Sequence, residues 1–90
     1  MDLLELRSDI DKIDGEIVDL LIERAELSRR VAEYKKENSI PVFDEGREGE
    51  ILRWVKEKSA DKSEFCESVY KAVLDASKRE QNKILSPLEK

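Results

Sequence analysis

From Leu3 onward the apolar residues fall at Leu3, Leu6, Ile10, Ile13, Ile17, Leu20, Leu27, Val31 and Tyr34, with charged residues between them. Steps of three and four keep side chains on one face of an α-helix, so the pattern predicts one long helix with an apolar stripe. Asp2, three residues before Glu5, supplies a capping-box start, and Asn38, Ser39 and Pro41 mark the end, which bounds the helix at roughly Leu3 to Glu37. Gly15 is its one weak point. At about 1.5 Å per residue such a helix is roughly 50 Å long, whereas a compact chain of this size has a radius of gyration of about 12 Å. The chain cannot cover its own stripe. Pairing with a second copy would, so an obligate homodimer with intertwined or closely packed long helices is expected.

The segment SIPVFDEG reads as a loop, with Pro41 fixing an extended turn and Asp44 placed to cap a second helix from Glu45 to Lys58. Its apolar face is Ile51, Leu52 and Val55, with Trp54 beside them. Asp61 and Glu64 suggest another capping box, opening a third helix from Lys62 to Ile84 on Phe65, Cys66, Val69, Tyr70, Val73 and Ala76. The tail from Ser86 to Lys90 reads as loose. No strand-like alternation or internal repeat appears. The expected architecture is all-α: one domain spanning residues 1–90, three helices per chain (one long, one short, one medium), in an intertwined homodimer.

Composition sharpens this picture. Charged residues are 43% of the 90 and hydrophobic residues only 39%, little apolar surface for a private core, which again points to self-association. The 17 basic and 22 acidic side chains leave a net charge of -5, and without a basic run neither nucleic acid nor an anionic membrane is an expected partner. The single Cys66 rules out an internal disulfide and reads as a small core residue, and the absence of histidine removes an imidazole base or His-based metal site. With no long apolar run and no basic-then-apolar start, the expected location is the cytoplasm.

The informative positions are polar residues that interrupt the stripes. Arg24 sits on the seam between Leu20 and Leu27, where an unpaired guanidinium would cost several kcal/mol if buried. Lys35 lies close to three full turns further on and projects from nearly the same face. Arg47 and Glu48 each precede a core residue of the second helix by four positions, and Ser77 and Gln81 continue the inner stripe of the third. Each also has a structural reading: Arg7 pairing with Asp11, Arg24 with Glu23 or a carboxylate on another helix, Lys35 complementing a helix terminus, Arg47 and Glu48 as first-turn surface charges. Taken together, they describe a cationic pocket with one amide. Such a pocket binds a small dicarboxylate, holds one conformer and stabilises charge on a central oxygen, enough for a unimolecular rearrangement without covalent catalysis, metal or cofactor.

Leu6-Arg7, Ile10-Asp11, Ile13-Asp14, Leu20-Leu21, Glu23-Arg24, Lys35, Pro41-Val42-Phe43-Asp44 and Arg47-Glu48, completed by Ser77 and Gln81, resemble the all-helical class of chorismate mutases over residues 3–82. The resemblance implies a three-helix protomer in an intertwined homodimer that converts chorismate to prephenate for phenylalanine and tyrosine synthesis, without a cofactor. It also implies roles. Arg24 and Arg7 from the second chain would hold the two carboxylates, and Lys35 and Gln81 would donate to the ether oxygen. Glu48 and the backbone near Asp44 would hold the ring hydroxyl, with Arg47 and Ser77 lining the site. Gln81 stands where some relatives carry glutamate, and because an amide donates at any pH, activity nearly flat across neutral pH is expected. Gly46 and Gly49 each loosen a helix start by up to about 1 kcal/mol, which implies a site partly unformed without ligand. The alternatives are isochorismate pyruvate lyase, a similar cationic pocket that eliminates pyruvate, and a non-catalytic helical dimer that binds a partner enzyme.

Overall fold

The computed structural model describes residues 2–85 of the chain. Helix α1 runs Leu3–Glu37, α2 Glu45–Ser59 and α3 Ser63–Leu85, and no strand occurs among the described residues. The Asp2 side chain accepts from the Glu5 N–H at 2.9 Å, and the Asp44 side chain accepts from the Arg47 N–H at 3.0 Å. Both N-terminal caps therefore form as their sequences indicate. The cap at Asp44 offsets the cost of Gly46 and Gly49, and α2 is helical through both.

The third expected cap does not form. Asp61 lies inside a 3-10 turn, Ala60–Lys62, that joins α2 to α3 without a loop, so helical backbone is nearly continuous from Glu45 to Leu85. Ala60, at φ 50°, supplies the bend between the two. Three separate helices is thus too fine a description. The tail from Ser86 to Lys90 lies outside the described residues.

Helix α3 packs against both α1 and α2, which do not pack on each other. The core is small: Ala32, Val55 and Leu74 are its buried apolar residues, joined by Ser28. Trp54, Phe65 and Val69 stay exposed, so the apolar faces read for α2 and α3 are only partly buried within one chain, and Leu74, outside the stripe read for α3, is the deepest residue of that helix. Along α1 the whole stripe, Leu3 to Tyr34, keeps 45–62% of its surface exposed. The radius of gyration is 16.3 Å and the long dimension 54 Å, because the first half of α1 projects past the other helices.

At the end of α1, Ile40 donates to the Lys35 carbonyl at 2.8 Å and Ser39 to that of Lys36 at 3.4 Å, the double closure of a Schellman motif. Ser39 adopts φ 55° there, a conformation that favours glycine. Ser39→Gly is expected to stabilise the fold by about 1 kcal/mol, read as a higher urea midpoint with unchanged m-value; a fall in the midpoint would show that the serine side chain is needed.

Candidate functional site

The Schellman turn sends the chain back along α1, so that Val42 passes over the last turn and its carbonyl accepts from Lys35 Nζ at 2.8 Å. One ammonium proton is thereby fixed, leaving two for other acceptors. Lys35 faces a cavity of about 300 Å³ enclosed by α1, the loop, α2 and α3. Arg24 enters it from nearly three turns earlier on α1, Asp44, Arg47 and Glu48 from the start of α2, and Ser77 and Gln81 from α3. All the site residues expected from sequence meet here except Arg7, which is exposed on the projecting half of α1 and does not join the cavity in one chain.

Ordinary ion pairing does not account for Arg24 or Lys35. Among the described residues no carboxylate lies within ion-pair distance of Arg24, Lys35 or Arg7, so neither Glu23 nor Asp11 takes the expected role. The Arg24 guanidinium instead lies 5.8 Å from the centre of the Tyr70 ring, where a second cleft begins, and it also borders the groove between α1 and α3. A half-buried cation against an aromatic face keeps its donors for an anion. Arg47 pairs loosely with Glu50 at 3.5 Å, both largely exposed.

The floor of the cavity is a short polar chain. Ser28, 6% exposed, shares a 2.8 Å hydrogen bond with Ser77, and Gln81 Nε2 donates to the same Ser77 hydroxyl at 3.5 Å. The long contact links the amide to Ser77 one turn back on α3 with one N–H to spare, while its buried Oε1 has no donor among the described residues.

Two polar residues of the cavity escaped the sequence reading. Ser28 lies one turn after Arg24, and its small side chain lets α3 approach. Lys78 follows Leu74 by four residues and precedes Gln81 by three, a spacing that placed it on the inner face all along. Its Nζ is 3.2 Å from Glu48 Oε2, 3.5 Å from Asp75 and 4.9 Å from the Phe43 ring centre. The hydrogen bond to Glu48, chiefly, raises the Lys78 pKa above 10.5. Glu48 is therefore an ion-paired carboxylate rather than a free surface charge.

An all-helical chain that turns unpaired arginine and lysine donors, an amide and a braced carboxylate into one half-open cavity has the chemistry to bind a small organic anion that carries a hydroxyl or similar donor. Comparison with known proteins narrows this class. The family profile for chorismate mutase type II matches residues 6–82, and the chain belongs to that family. A bifunctional chorismate mutase/prephenate dehydratase of Buchnera aphidicola is 34% identical over 86 residues, 92% of this chain and 22% of that protein. A chorismate mutase of Methanocaldococcus jannaschii is 38% identical over 65 residues, 68% of this chain and 66% of that one. A 4-amino-4-deoxychorismate mutase of Streptomyces venezuelae is 26% identical over 89 residues, 94% of this chain and 85% of that protein. The chain spans less than a quarter of the length of the bifunctional relatives it matches. No solved structure matches significantly. No helix among the described residues is long and apolar enough to cross a membrane.

Proposed function

We propose that the chain is a single-domain, cofactor-free chorismate mutase that converts chorismate to prephenate for aromatic amino acid synthesis, working as a homodimer in the cytoplasm. The observation that carries this reading is the meeting of Arg24, Lys35 and Gln81 in one cavity of a chain from this family. In the Claisen rearrangement the ether carbon–oxygen bond breaks as a carbon–carbon bond forms to the ring. No proton moves, and the ether oxygen becomes a carbonyl after carrying partial negative charge at the transition state. Such a reaction asks two things of the protein, a fixed conformer and donors aimed at that oxygen.

Arg24 takes one substrate carboxylate and the partner subunit's Arg7 the other. Lys35, already tethered to Val42, and Gln81, tethered to Ser77, donate to the ether oxygen. Glu48 and the backbone near Asp44 receive the ring hydroxyl, and Arg47 and Ser77 line the walls. Tethered donors need little reorganisation at the moment of reaction, which is where electrostatic stabilisation is largest.

The dimer is supported by the exposed stripe of α1 and by the mostly apolar groove between α1 and α3, bordered by Leu21, Ala25, Val69 and Val73. Covering such a surface with a second long helix is the direct way to remove it from water. The same arrangement completes each site with an arginine that its own chain cannot supply. Arg7→Ala and Arg24→Ala proteins, each inactive alone, are expected to recover activity when refolded together, in one of the heterodimer's two sites. No recovery, with heterodimers shown to form, would reject the shared site.

The activity itself is tested by adding purified protein to chorismate, following loss of its absorbance and identifying the product. Prephenate formed in proportion to protein is the expected result. Turnover of isochorismate alone would favour the lyase, and silence on both would leave the non-catalytic dimer.

A further inference from the structure

Lys78 is a cation of the cavity wall to which the rearrangement as assigned above gives no part. It is two-thirds buried, at 30% side-chain exposure, and its pair with Glu48 is the closest interhelical ion pair among the described residues. The pair uses Glu48 Oε2 and leaves the other carboxylate oxygen for a ligand. Carboxylate geometry then bounds a distance: a group bonded to that second oxygen lies within about 7 Å of the Lys78 ammonium. Asp75, the other carboxylate near Lys78, is 62% exposed and sits at the longer distance, so water screens it more strongly.

We infer that Lys78 is a specificity-determining residue, which biases the Glu48 subsite toward a substrate with a neutral ring hydroxyl and against an analogue carrying an ammonium group there. The inference rests on the mutase reading and on the assignment of Glu48 to the ring substituent. A lone carboxylate in a half-buried site attracts an ammonium more strongly than a hydroxyl. A lysine on its other oxygen offsets part of that attraction, and the ammonium also gives up more hydration than a hydroxyl on entering a half-buried site, so together the two move the balance toward the hydroxyl. 4-Amino-4-deoxychorismate is the matched probe, since its amine is protonated at neutral pH and the rest of the molecule is unchanged.

The test compares kcat/KM on chorismate and on 4-amino-4-deoxychorismate in the same enzyme preparations, so that any change in the fraction folded cancels from the ratio. Wild type should prefer chorismate. Lys78→Met removes the charge while keeping an unbranched side chain, and should move the ratio toward the amino substrate by about tenfold, as expected for removing one partly screened charge at this distance. Lys78→Arg keeps the charge and should leave the ratio within about twofold of wild type, taking that as the scatter of such ratios. Equal losses on both substrates in Lys78→Met, or an Arg variant that shifts the ratio as far as Met does, would mean that Lys78 only supports the fold, and would overturn the inference with the mutase activity intact. A wild type that rearranges neither substrate would overturn the mutase reading, and this inference with it.

Discussion

Arg24→Ala is expected to lower kcat/KM on chorismate about a thousandfold while leaving the fold nearly as stable as before. In the proposed site, a guanidinium with no carboxylate partner among the described residues would hold the substrate carboxylate through charge-assisted bonds, both in the ground state and in the transition state. KM should rise and kcat should fall, because the carboxylate also sets the conformer from which the rearrangement proceeds. Stability tells the functional role from a structural one. The substitution removes the approach of the guanidinium to Tyr70, about 0.5–1 kcal/mol at a partly exposed site, and relief of an unpaired half-buried cation works in the opposite direction. Circular dichroism melts within a few degrees of wild type, beside a large loss of prephenate formation, would match this balance. A loss smaller than tenfold, or one explained by unfolding, would contradict it.

Lys35→Ala is expected to cost 100- to 1000-fold, and the loss should lie mainly in kcat. In the proposed mechanism its ammonium serves the oxygen where charge develops only as the ether bond breaks, and removing one such preorganised donor typically costs about this much. The proposed shared site assigns substrate binding more to Arg24 and to Arg7 of the second chain, so KM should move by much less. If KM absorbed the whole effect, Lys35 would be a ground-state anchor and the ether oxygen would have to find its donor elsewhere, with Gln81 the remaining candidate. The variant also loses the bond to Val42, so thermal melting should be run alongside to show that the loop still closes. A pH profile adds an independent reading of Gln81. With an amide as donor the rate should stay flat across neutral pH, whereas Gln81→Glu should be active only where its carboxyl is protonated, and its rate should therefore fall as pH rises.

Much of this site was legible along the chain because helical spacing is a strong constraint. Arg24 and Lys35, close to three turns apart, had to share a face, and Ser77 and Gln81, one turn apart, had to share another. The caps at Asp2 and Asp44 are local hydrogen bonds between neighbours in sequence, and both formed. Asp61 carried a similar signal and failed, because Ala60 takes a positive φ and the chain passes from α2 into α3 through a 3-10 turn instead of restarting at a cap. Lys78 was missed for a different reason. Its spacing to Leu74 and Gln81 put it on the inner face, but a lone lysine beside Ser77 carries no sign of what it pairs with, and Glu48 is thirty residues away on another helix.

The sequence by itself therefore determined the helical class, the length of α1, two of the helix caps and the polar residues that cannot belong to an ordinary core, since all of these depend on contacts within a few turns of one helix. It also determined that the stripe of α1 is too long for one chain to cover, which is a matter of length against volume. Tertiary structure decided which of those polar residues meet. It placed Lys35 against Val42, joined Ser28 to Gln81 through Ser77 and paired Glu48 with Lys78. These contacts depend on the angle and register at which α3 lies between α1 and α2, where Ser28 and Ala32 of α1 and Leu74 of α3 are buried, and no single helix encodes that register.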